Sequence, residues 1–418
     1  MVFRSLNDVW TYADEHNITV RTARYDIEKS QYATKGAIGN FLPQLGLNGT
    51  ATENTALQTT LIPGQLFGGK DNSYKAVQFG QKYIYNGGFT AQMDIVNVQT
   101  WMSMKIARES EALSRDSMTN QKKTVYQQIA TQYYSFLLMK VAADLAHTSE
   151  RIADSVLQSV QSKFADGLAN AANVDVAKMN LMRAKQTSIT SEYQMATSKN
   201  TLKGLLDIAP KDSLEIADDL NHAEAVSDVG IFALDPSVTI AERQVNLGML
   251  QYKNTLSTFW PTLSVSYNDA TQQNDNKFEP FSTGGPFWYP ARYWTLHASW
   301  MLFNGGSRYW TAKRSKVAWE EKKLLADNVR KQADINDENL RLAYKKAAAL
   351  AANSKTVMEL SLDNYRHTCY RYKEGMATME DRLNAFSDFI NYQNQYLNNI
   401  SDLLVQTYLV KIRQTEFK

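Results

Sequence analysis

The 418-residue chain has a single cysteine, Cys369, so no internal disulfide can brace it, and a lone thiol says little about redox compartment. It lacks any excess of charge. There are 45 lysines and arginines against 43 aspartates and glutamates, and no basic stripe of the kind that binds nucleic acid is evident along it. No apolar run approaches the roughly 20 residues a membrane helix needs. That excludes helical spans and leaves β-barrels open, because barrel strands are short and only alternately apolar. The opening "MVFRSLNDVW" carries no charged and apolar leader, so a secretory signal is expected to be absent or already removed. No cysteine near Met1 offers a site for acylation.

Proline is scarce, with 8 residues, and unevenly placed, as are the 19 glycines. Both cluster near 36 to 90, 204 to 210 and 261 to 306. Between the clusters run two proline-free stretches, about Thr100 to Leu206 and Ser307 to Phe417, rich in the better helix formers. Each is broken once, near its middle, by a glycine turn. A helix from Trp101 to Ala165 would be about 98 Å long at 1.5 Å per residue, which suits coiled-coil or helical-barrel packing.

The proline- and glycine-rich regions alternate instead. "YWTLHASWML" sets Trp294, Leu296, Ala298, Trp300 and Leu302 on one face and Thr295, His297 and Ser299 on the other, at about the length of a membrane β-strand. "PTLSVSY" repeats the pattern with Leu263, Val265 and Tyr267, and "PQLGLNG" with Leu45 and Leu47. A fourth candidate strand lies between Ala76 and Val96. The segment "FEPFSTGGPFWYP" reads as an aromatic, turn-rich surface loop.

The chain is internally duplicated. "SKFADGLANAANVDVAKMN" and "YRYKEGMATMEDRLNAF" share an aromatic and an acidic residue before a glycine, a polar residue six positions on (Asn173, Asp381) and an alanine ten positions on (Ala177, Ala385). Pro43 matches Pro261, and Gly167 matches Gly375, 208 residues later. "YNGGF" and "LFNGGS" are expected to close a second pair of strands in each copy. The repeats are residues 1–206 and 237–418, joined by an equatorial linker, 207–236, of short helices or strands. Each repeat supplies a helix, a strand pair (44–97, 261–303) and a long helical hairpin. Four strands cannot close a barrel, and open edges do not survive in lipid, so closure demands other copies of the chain. Three copies give twelve strands.

In "LPQL", "LFNGGSR" and the two glycine turns, the chain resembles the TolC-type outer-membrane efflux proteins over nearly its whole length. The resemblance implies an α+β membrane protein: a homotrimeric twelve-stranded outer-membrane β-barrel, four strands per chain, continued by a long periplasmic α-helical barrel. It implies an exit duct for efflux or type I secretion, working with a periplasmic adaptor (membrane fusion protein) and an inner-membrane transporter in contact with outer-membrane lipid. The turns Gly167, Leu168, Ala169 and Gly375, Met376, Ala377 would be periplasmic tips on which the adaptor docks. An aperture would be narrowed at Asp381 and Asn384, where the family carries two acidic residues and this chain one. A tip latch would join Tyr372 to Asn173, while the family's arginine position is Ala377.

Simpler readings stand beside these. Asp381 fits a solvated charge at a helix start, Gly167 and Gly375 fit helix caps, Tyr372 a packing aromatic, and the Trp294 stripe a soluble sheet face. A trimeric coiled-coil scaffold or adhesin stalk accounts for the helices but not for the strands. No cofactor, metal site or nucleic-acid partner is expected. His16, His147, His222, His297 and His367 lack metal-ligand spacing, and no nucleophile elbow or phosphate loop occurs, so the chain is not read as an enzyme.

Overall fold

The computed structural model describes residues 1–218, 220, 230–279 and 288–415. His222, linker residues 219 and 221–229, and most of the "FEPFSTGGPFWYP" loop lie outside them. The elements, in order, are β1 (Val2–Phe3), α1 (Leu6–His16), α2 (Ile18–Gly39), β2 (Gln44–Glu53), β3 (Thr59–Pro63), β4 (Tyr74–Gln78), β5 (Tyr83–Val96), α3 (Val98–Ala165) and α4 (Ala171–Leu205). There follow β6 (Glu215–Ile216), α5 (Pro236–Ser257), β7 (Thr262–Asp275), β8 (Trp288–Ser299), α6 (Ser307–Lys373) and α7 (Met379–Gln414). They form two compact units, each drawing on both halves of the duplication. One takes Met1–Glu28, Ala112–Arg243 and Leu324–Lys418, and the other takes Lys29–Glu111 and Gln244–Lys323.

The second unit holds an antiparallel sheet in the order β2-β5-β7-β8. Directly paired residues share a face, so the register sorts the side chains. Leu45, Ala91, Tyr267 and Trp294 line up across one face, with Met93, Val265 and Leu296 on one side of them; on the other side the row of Leu47 and Phe89 continues into the ion-paired Asp269 and Arg292. The other face carries Gln44, Gln92, Ser266 and Thr295 in one row and Thr90, Asn268 and Tyr293 in the next. Thr90 bonds Asn268 across it at 3.1 Å. The apolar rows of this face are largely bare: Leu47 is 88 % and Trp294 72 % exposed. β2 and β8 each have one unpaired edge.

Three expectations are corrected here. The alternation from Ala76 to Val96 is two strands, not one, since the chain leaves β4 at Gln78, a hairpin partner of β3, and enters the main sheet at Tyr83. Trp300 and Leu302 fall beyond β8, which ends at Ser299. The first Asn-Gly-Gly does not close strands at all: Asn86–Gly88 runs mid-strand in β5, where a Cβ on Gly88 would meet Ala270 Cα at 2.8 Å. Only the second copy turns, with Gly305 and Gly306 at φ of 68° and 81°.

The first unit is helical. α1 starts with a capping box, Ser5 with Asp8, and buries Leu6, Val9 and Ala13 against Ile129, Tyr133 and Leu137 of α3 and Leu202 of α4. Leu6 and Val9 each contribute about 1.5–3 kcal/mol when fully buried, Ala13 less. β1 pairs in parallel with β6, the short linker strand that is described. Tyr344, Ala347 and Ala351 of α6 pack against Ile400, Leu403 and Val410 of α7. A buried ionic network fastens the return from the linker. Lys123 donates to Asp235 at 2.5 Å, and Arg413 donates to both oxygens of Asp337, at 2.7 and 2.8 Å, and to the Ala233 carbonyl at 2.5 Å. Burial pushes the Asp235 carboxyl up, but the bonds from Lys123 and Ser237 outweigh it and hold its pKa below the usual value.

Candidate functional site at the paired hairpin tips

Each long hairpin turns by the same local chemistry. At the first tip the Gly167 N–H bonds the Phe164 carbonyl and the Leu168 N–H bonds that of Lys163. At the second, Gly375 bonds Tyr372 and Met376 bonds Arg371. These are Schellman motifs, with the glycine at φ 74° in both. Three residues past each glycine the next helix begins with a capping box, Asn170 with Asn173 and Thr378 with Asp381. The shared polar residue six positions after the glycine is therefore the N3 member of a cap. The shared alanine, Ala177 or Ala385, is buried, and Ala177 joins Val156 and Val160 in a small core against Val174, Met379 and Leu383.

The predicted site residues divide. Gly167, Leu168, Gly375 and Met376 are exposed at the turns, and Ala169 and Ala377 are half-buried beside them. Leu168 is 78 % and Met376 60 % exposed, large apolar side chains with no cover within the chain. Asp381 and Asn384 are exposed and lie three apart on α7, on one helical face. The Asp381 carboxylate accepts from the Thr378 N–H at 2.8 Å and its hydroxyl at 2.7 Å. Those bonds, the backbone one foremost, lower its pKa, so it stays ionised at neutral pH. Tyr372 and Asn173 are not joined by a hydrogen bond within the chain. Asn173 serves the cap of Asn170 at 3.4 Å, and the Tyr372 hydroxyl accepts instead from Lys163 Nζ at 2.7 Å. The same ammonium lies 4.9 Å from the Tyr372 ring centre, and the Arg382 guanidinium 5.6 Å. Lys163 carried no signal in the sequence, since its partner is 209 residues away.

Other chemistry is thin. Among the described residues no three His, Cys, Asp or Glu side chains gather as a metal site, and no helix is long and apolar enough to cross a membrane. His147 bonds Ser188 at 2.9 Å between α3 and α4, an interhelical contact without an acidic third member in the hydrogen bonds of either residue.

Comparison with known proteins supports the same direction. Residues 11–207 match the model of the outer membrane efflux protein family. Two curated relatives align: a protein of Haemophilus influenzae, 21 % identical over 70 % of the chain, and the Toxin and drug export protein A of Aggregatibacter actinomycetemcomitans, 22 % identical over 66 %. The alignments span 64 % and 60 % of those relatives' own lengths. The fold is that of the outer membrane protein VceC of Vibrio cholerae, with a TM-score of 0.79 at 16 % identity, covering 99 % of this chain and 97 % of that one. Residues 11–207, just under half of the chain, thus match the outer membrane efflux protein family, and the chain as a whole shares the fold of VceC.

Proposed function

We propose that the protein is the outer-membrane exit duct of a tripartite efflux or type I secretion system, conducting passively and gated at its hairpin tips. The observation that carries this is the sheet β2-β5-β7-β8, apolar on one face over the rows nearest its bordering helices, polar on the other face and unpaired at both edges. Its apolar face suits lipid and its polar face water, and its edges are satisfied only by other copies. Three chains close twelve strands, with β8 of one beside β2 of the next. The name of the Aggregatibacter relative supports toxins and drugs as the cargo class. The exposed Leu168 and Met376 suit docking by a periplasmic adaptor beneath an inner-membrane transporter, and Asp381 sets a carboxylate at the narrowed mouth.

Reconstitution tests the reading. The detergent-purified protein should appear as threefold particles with a central opening, resist alkaline extraction from vesicles and conduct ions across a planar bilayer. Solid rods that wash off with alkali would return the scaffold reading. The latch is tested by Y372C with N173C in a C369S background: a disulfide trapped in the non-conducting channel supports a Tyr372–Asn173 link made in that state, and none under oxidant refutes it.

A further inference from the structure

All four helices that border the sheet meet it on one rim. α2 ends just before β2, α3 begins just after β5, α5 ends just before β7 and α6 begins just after β8, and every neighbouring strand pair is antiparallel. Two features converge there. The first is a belt of bare rings: Trp260, Trp300, Phe303 and Trp310 are between 61 % and 82 % exposed. They are built in rather than loose, for the Trp300 indole donates to the Phe259 carbonyl at 3.0 Å and Arg308 grips the carbonyls of Thr258, at 2.6 Å, and Met301. Fixed amphipathic rings around one rim suit a boundary between lipid and water.

The second feature is charge. The helical segments of this unit, residues 29–43, 97–111, 244–261 and 300–323, hold eleven lysines and arginines and four acidic residues, a net +7 in a chain whose total is +2. On α6, Trp310, Lys313 and Arg314 are exposed at spacings of three and four, on one helical face. Lys313 Nζ lies 5.6 Å from the Tyr309 ring centre, and Lys35 Nζ on α2 lies 5.4 Å from that of Tyr32.

We infer that this rim is a binding site for anionic phospholipid, with the aromatic belt at the base of the acyl chains and Lys313, Arg314 and their basic neighbours on the phosphate headgroups. The inference rests on the duct reading and adds a lipid class to it. Charge complementarity to a phosphate layer explains why the helix segments nearest the belt, residues 32–43, 97–105, 250–261 and 300–314, hold six lysines and arginines and no acidic residue.

The test offers dioctanoyl-phosphatidylglycerol or its phosphatidylcholine counterpart to the full-length protein in detergent and counts bound lipid by native mass spectrometry. Phosphatidylglycerol should bind more tightly, and K313Q/R314Q should weaken it by about tenfold or more, since each cation near a charged surface is worth roughly fivefold. K178Q/K185Q, on α4, should leave binding unchanged. Equal binding of the two lipids, an equal loss in both variants, or displacement by inorganic phosphate, which would reassign the site to a free anion, each overturns the inference. Conductance is measured alongside in phosphatidylcholine vesicles. A protein that conducts there without lipid preference sinks this inference alone, whereas one that inserts into no vesicle sinks the duct reading and this with it.

Discussion

Removing the Asp337 carboxylate tests whether the buried ionic network holds the helical unit together. Asp337→Ala strands the Arg413 guanidinium, whose side chain is 7 % exposed and which loses two hydrogen bonds, of 2.7 and 2.8 Å. Stripping one partner from a buried pair costs about 3–5 kcal/mol. Two features reduce that here: the Asp337 side chain is 21 % exposed, and Asp235 still stands 3.5 Å from the guanidinium. A loss of about 2–3 kcal/mol follows, or a melting point roughly 5–10 °C lower for a unit of this size. Far-UV circular dichroism melts of the detergent-solubilised protein measure it. The decisive variant is D337A/R413M. It removes the stranded charge and fills its space with an apolar chain, while Asp235 keeps Lys123, so the double variant should be more stable than D337A alone by about 1 kcal/mol or more. The reasoning fails if D337A melts with the wild type, or if the double variant loses as much as the two single changes added together.

Three further outcomes are expected. The folded pKa of Asp381 is depressed, so its cap is fully present above the ordinary carboxylate range and is lost as pH falls through the lowered value; amide exchange at the start of α7 should therefore accelerate only below about pH 4, and unchanged rates down to pH 2 would contradict this. Lys163→Met should cost about 0.5–1.5 kcal/mol at the tips and raise open probability in planar bilayers, with Tyr372→Phe matching it, whereas divergent effects would show that the bond is not shared. Gly375→Ala has free space around its Cβ and meets only the left-handed backbone penalty of about 1–2 kcal/mol, while Gly88→Ala drives a methyl into Ala270 and should lower the yield of folded protein far more. Equal yields would refute the close approach of β5 and β7.

Local signals were readable in the sequence and long-range ones were not. Proline-free stretches became α3 with α4 and α6 with α7, since helix propensity and helix breaking act over a few residues. Alternation located the strands but not their ends. Val77 and Phe79 alternate with polar neighbours like the strand that follows, yet only backbone pairing decides where a sheet stops, and that partner lies elsewhere in the chain. Gly88 looked like a turn residue because the strand that crowds it is some 180 residues away. The capping boxes Asn170-x-x-Asn173 and Thr378-x-x-Asp381 are legible by spacing, because a cap is made within four residues. The basic rim is only partly legible in the sequence: six of its cations lie within 308–323, but the helix ends that bring the other segments to the same rim are set by strand pairing.

A duplicated chain begins with two identical hairpins, and each later difference marks a task released to one copy. The N3 caps have parted in this way. Asn173 cannot be titrated, whereas Asp381 can, although both hold their helix starts by the same pair of bonds. A proton can therefore undo the N3 cap of only one hairpin in each chain. In the proposed trimer the two kinds alternate around the mouth, so acid would turn a ring of six near-equivalent tips into three that have loosened and three that have not.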